Sequence, residues 1–72
     1  MKTPQKVVRQ FAKRLREIRL DKGISQEKLG SLAGVHRTYI GMLERAEKNI
    51  TLTNMEKIAR GLDVRLYDLV DF

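Results

Sequence analysis

The sequence predicts one small all-α domain, with two short helices set across a tight turn near its middle. Three observations carry this reading. Apolar residues recur at three- and four-residue spacing over most of the 72 residues, the period of a helix that buries one stripe. Residue types that open helices stand ahead of several of these stretches: Thr3 with Pro4, Ser25, and Thr53 with Glu56 three positions on. Gly23 and Gly34 fall where one stretch gives way to the next, as residues that take a positive φ at small steric cost.

The first helix is expected from about Pro4 to Asp21. Val8, Phe11, Leu15 and Ile18 form its inward stripe, with Ala12 beside them. Lys6, Arg9, Lys13 and Arg16 form a second stripe on its flank. That stripe reads first as a solvated face, with contact with flanking phosphates as the other reading. Gly23 stops the helix and hands over to Ile24 and Ser25.

From Ser25 to Glu44 the pattern is helix, tight turn, helix. Ser25 caps the first half, which turns Leu29, Leu32 and Ala33 inward and ends at Gly34. Gly30 sits mid-helix, where a missing side chain lets the next helix approach at a steep angle and offsets the roughly 1 kcal/mol that glycine costs against alanine. The spacing is that of a helix-turn-helix. At about 100° per residue from Arg37, Ile40 and Leu43 point to the core while Thr38, Met42 and Arg45 point away. Arg37, Tyr39 and Gly41 flank the outward stripe. A fork donor, a short hydroxyl, a ring and an apolar tip suit the edges of DNA bases. Each good contact there discriminates by about 1–3 kcal/mol. A plain surface helix with one exposed methionine is the other reading.

Arg45 to Asn49 reads as a polar connection. Thr53-Asn54-Met55-Glu56 is a capping-box pattern opening a fourth helix, with Met55, Ile58, Ala59 and Leu62 facing in and Gly61 weakening its last turn. Val64, Leu66, Tyr67, Leu69, Val70 and Phe72 then crowd nine residues, 64–72. This is more apolar surface than a closing turn needs. A second copy is the expected partner, with Leu66, Tyr67, Leu69, Val70 and Phe72 as the dimer interface, since a two-fold dimer sets two reading helices about 34 Å apart. The same residues capping the monomer's own core is the other reading.

Composition narrows the function. Net charge is +6, and residues 1–22 hold eight lysines and arginines against Glu17 and Asp21, while the remainder balances seven against seven. All of the excess therefore lies in the first helix, where it favours polyanions without giving sequence information. Cysteine is absent and His36 stands alone, so neither a thiolate nucleophile nor a metal site is expected, and no cofactor or small-molecule ligand. Glu44 and Glu47 are the nearest thing to paired carboxylates, and no catalytic residue is assigned. No apolar run approaches the 18 or more residues of a membrane span, and no signal peptide is evident. A cytoplasmic, nucleoid-associated protein is expected.

Ser25-Gln26-Glu27-Lys28-Leu29, Ala33-Gly34-Val35-His36-Arg37-Thr38-Tyr39-Ile40-Gly41 and Glu44-Arg45 followed by Lys48-Asn49 resemble the phage-repressor-type helix-turn-helix family. Within it, the stretch from His36 to Asn49 is similar to the controller proteins of restriction-modification systems. The resemblance runs from about Leu15 to Leu69 and implies a compact five-helix, lambda-repressor-like domain. It also implies a sequence-specific regulator of transcription that binds double-stranded DNA as a homodimer at its own promoter. A plain phage-type repressor, an antitoxin-like autoregulator and a protein-interaction module that ignores DNA are the alternatives. By resemblance Arg37, Thr38, Tyr39 and Met42 read bases, and Gln26, Arg45, Lys48 and Asn49 hold the DNA backbone. Gly41 lets the backbone come close to the duplex, and Arg19 and Glu44 form a structural pair. The chain departs from the family at Ala46 and Asp63, where glycine is usual. A looser bend at Ala46 and a poorer helix cap at Asp63 are the expected consequences.

Overall fold

The computed structural model describes residues 5–72, which form α1 (Lys6–Asp21), α2 (Gln26–Ala33), α3 (Arg37–Glu44), α4 (Leu52–Leu62) and a closing 3-10 turn, Leu66–Val70. The expected Thr3–Pro4 helix start lies outside the described residues. α2 packs on both α3 and α4, and α1 runs across α3 and the closing turn. Leu15, Leu29, Ile40, Leu43, Ile58, Leu62 and Leu69 are fully buried where these elements meet.

The expected fifth helix is the 3-10 turn, so four α-helices are present among the described residues. The segment is too short to build an i→i−4 ladder. It is clipped instead by Asp68, whose backbone N–H donates to the Arg65 carbonyl at 3.0 Å while its carboxylate accepts the Arg65 N–H at 2.9 Å. Arg14 Nε donates to the Asp68 carbonyl at 2.8 Å and ties the turn to α1.

Helix starts follow local chemistry. Ser25 Oγ accepts the Lys28 N–H at 2.9 Å, as expected of a cap. α4 starts earlier than the expected capping box: Thr51, not Thr53, is its cap, with Oγ1 accepting the Asn54 N–H at 3.1 Å. The box pattern put the boundary one hydroxyl too late.

Every helix stops in the same way. Gly23, Gly34, Ala46 and Asp63 all take a left-handed φ, between 56° and 74°. The next N–H then reaches back five residues: Ile24 to Arg19, Val35 to Gly30, Glu47 to Met42 and Val64 to Ala59. The bend at Ala46 is therefore as tight as a glycine would make it, and Asp63 adopts the cap conformation despite its Cβ. Both expectations of looseness are corrected. Gly30 has the expected role, because a Cβ there would stand 2.7 Å from the Val35 carbonyl oxygen and 3.1 Å from the Arg37 nitrogen.

Leu32 does not face the core; it is 50% exposed. Leu29, Gly30 and Ala33 are the buried residues of α2, and they centre its inward arc about 50° beyond Leu29. Leu32 stands about 110° from that centre.

Candidate nucleic-acid interface

α3 begins at His36, whose Nδ1 accepts the Thr38 N–H at 3.0 Å and fixes the helix start. A lone histidine in the sequence gives no signal for this capping task. Ile40 and Leu43, 0% and 1% exposed, anchor the helix from behind. Arg37 and Thr38 are exposed, Met42 is half-buried, and Arg45 at the helix end is exposed. Arg37 Nη1 donates to Glu27 Oε2 at 2.8 Å across the open surface between α2 and α3. An exposed pair of this kind is worth about 0.2–1 kcal/mol, a weak hold against a guanine edge.

Tyr39, beside them, also bonds outside its own helix. It is half-buried and packed against the core, and its hydroxyl accepts a hydrogen bond from Asn54 Nδ2 at 3.0 Å. It borders the outward face and fastens α3 to α4. Gly41 is buried under this chain's own side chains. A Cβ there would stand 3.0 Å from Arg45 Nη1 and 3.4 Å from Gln26 Oε1. The bare spot makes room for Gln26 and Arg45.

Behind the outward face lies a hydrogen-bonded junction. Arg19 donates to both oxygens of Glu44, Nε to Oε2 at 2.6 Å and Nη2 to Oε1 at 2.9 Å, and Nη1 donates to the Ile24 carbonyl at 2.9 Å. Gln26 Nε2 adds a fourth bond, to Glu44 Oε1 at 3.1 Å. Side-chain exposure is 10% for Arg19 and 3% for Glu44. Hydrogen bonding to Glu44 raises the Arg19 pKa against the opposing effect of burial. The two residues thus join α1 to the end of α3, and Gln26 holds the start of α2 to the same point.

Arg45 donates through Nε and Nη2 to Glu47, at 2.9 and 3.2 Å. These bonds hold the Glu47 carboxyl below its ordinary range. Lys48 and Asn49 are exposed on the loop that follows. Gln26 and Arg45 therefore flank the α3 face, with Lys48 and Asn49 beyond its end. Among the described residues, no three histidine or carboxylate side chains gather as a metal site, and no helix is long and apolar enough to cross a membrane.

The sequence profile of the helix-turn-helix family matches residues 15–69. The chain belongs to that family. As a member it is a DNA-binding transcriptional regulator. Control protein C.BamHI of Bacillus amyloliquefaciens is 48% identical over 63 residues, covering 86% of this chain and 78% of that protein. Control protein C.SmaI of Serratia marcescens is 39% identical over 60 residues, covering 83% and 71%. The crystal structure of the restriction-modification controller protein C.AhdI from Aeromonas hydrophila superposes with a TM-score of 0.84 at 44% identity, over 86% of this chain and 94% of that one. Within the helix-turn-helix family, restriction-modification controllers are thus among the proteins this chain resembles along most of its length.

The C-terminal crowding divides in two. Leu69 is 0% exposed and belongs to the monomer's own core, so it is withdrawn from the expected dimer interface. The 3-10 turn rotates it under α1 and α4. Leu66 is half-buried, while Tyr67, Val70 and Phe72 are exposed. Val70 and Phe72 line a mainly apolar cavity of about 130 Å³ with Val7, Phe11, Ile50 and Met55, and Lys48 and Asn49 also line it.

Proposed function

We propose that this chain is a restriction-modification controller that acts as a homodimer on operator DNA at its own promoter, in the cytoplasm. One observation carries the reading. α3 is clamped on one side by fully buried Ile40 and Leu43 and presents Arg37 and Thr38 to solvent on the other. In this arrangement Arg37, Thr38, Tyr39 and Met42 read base edges. Gln26, Arg45, Lys48 and Asn49 grip the phosphates on either side. The family match and the likeness to the control proteins C.BamHI and C.SmaI support the regulatory role.

A second copy covers the exposed Tyr67, Val70 and Phe72 together with half-buried Leu66. The adjoining, mainly apolar cavity supports this, because surface of that kind is rarely left to water. Two-fold pairing sets two α3 helices one turn of DNA apart, about 34 Å. Selection of bound fragments from a random duplex pool tests the reading. Two related half-sites about 10 base pairs apart, centre to centre, are expected. A pool that emerges with no enriched sequence would overturn it.

A further inference from the structure

A groove of about 460 Å³ lies between the outer face of α1 and the residues that close α3. Arg9, Lys13 and Arg16 line one wall, and Arg45 with Ala46 lines the other. Two carboxylates share the lining, Glu17 and Glu44. Glu44 is already neutralised by Arg19 and Arg45 is paired with Glu47, so the cationic excess of the groove is that of Arg9, Lys13 and Arg16 over Glu17. The three α1 cations are all exposed and follow one another at four- and three-residue spacing along one face. They extend over about 10 Å of helix at 1.5 Å per residue. One strand of B-DNA carries a phosphate about every 3.4 Å of axis, so that length matches about three phosphates.

The position of the groove identifies its occupant. Arg45 lies on the outward stripe of α3, so the groove opens directly beside the reading face. The excess charge of the chain is concentrated on α1, away from any base-reading side chain. We propose that the basic face of α1, continued by Arg45, is a second phosphate track that grips the duplex backbone beside the base pairs α3 reads. The inference rests on the DNA-binding reading above and extends its footprint. The track adds affinity that is steep in salt and indifferent to sequence.

The experiment compares three proteins on two duplexes. The proteins are the wild type, the Lys13→Gln/Arg16→Gln variant, and the charge-conserving Lys13→Arg/Arg16→Lys variant, with helix content and melting checked by circular dichroism. Both duplexes carry the site selected from the random pool. One ends at the site's edges, and the other continues for about one helical turn, 10 base pairs, on each side. The wild type is expected to prefer the longer duplex. The glutamine variant loses that preference, and its log–log salt slope falls by about 2, so that between 50 and 200 mM salt it loses about tenfold less affinity than the wild type. The charge-conserving variant behaves as wild type, and all three keep their preference for the selected site over a scrambled one. A glutamine variant with wild-type slope and length dependence overturns the track while leaving the DNA reading intact. A wild type that prefers no duplex removes both.

Discussion

Glu44→Ala isolates the junction behind the reading helix. The substitution strips two donors on Arg19 and one on Gln26 of their acceptor, at a site where Glu44 is 3% and Arg19 10% exposed. Arg19 keeps the Ile24 carbonyl, but its charge is left poorly solvated beside the core. Removing one partner of a buried ion pair costs about 3–5 kcal/mol. A 72-residue domain has about 4–10 kcal/mol of stability in total. The variant should therefore lose about 30% or more of its stability and, at the low end of that range, be partly unfolded at 25 °C. Urea denaturation followed by circular dichroism measures the loss directly. The paired substitution Arg19→Met/Glu44→Leu should recover most of it, because apolar replacement of both partners removes the stranded charge. A loss below about 1 kcal/mol for Glu44→Ala would place the pair in the class of surface ion pairs and refute the junction.

Arg37→Ala should weaken binding to the selected site by about 1–3 kcal/mol and barely change binding to scrambled duplex, as fluorescence anisotropy at fixed salt would show; equal losses on both would defeat base reading. Leu69→Asp should unfold the monomer, since it places an unpaired carboxylate in the core. Phe72→Asp should leave the fold intact and shift the sedimentation profile toward monomer, and an unchanged mass would tell against the C-terminal interface. Ala46→Gly should stabilise the domain by about 1 kcal/mol, because it removes the Cβ from a left-handed residue. A change of that size raises the melting temperature of a domain this small by about 4–8 °C, and a lower melting temperature would contradict the strain at Ala46.

Much of this architecture was legible because it depends on period and on single local bonds. The α1 stripe of Phe11, Leu15 and Ile18 and the α3 pair Ile40 and Leu43 bury as a 3.6-residue period requires, and Ser25 caps where its hydroxyl allows. What escaped depends on the neighbours of each residue in space. Leu32 shares an apolar period with Leu29, yet α4 and α3 pack on the other flank of α2, where Gly30 and Ala33 admit them. Leu69 lies among apolar residues indistinguishable from it in sequence, and the 3-10 turn alone decides that it goes inward while Val70 stays out. Gly41 read as an opening toward DNA, and its missing side chain also leaves room for Gln26 and Arg45, two residues that the resemblance assigns to the phosphates. The base-reading set likewise has a contact outside its own helix that the helical period does not show: Tyr39 accepts a hydrogen bond from Asn54 on α4, while Arg37 and Thr38 stand exposed.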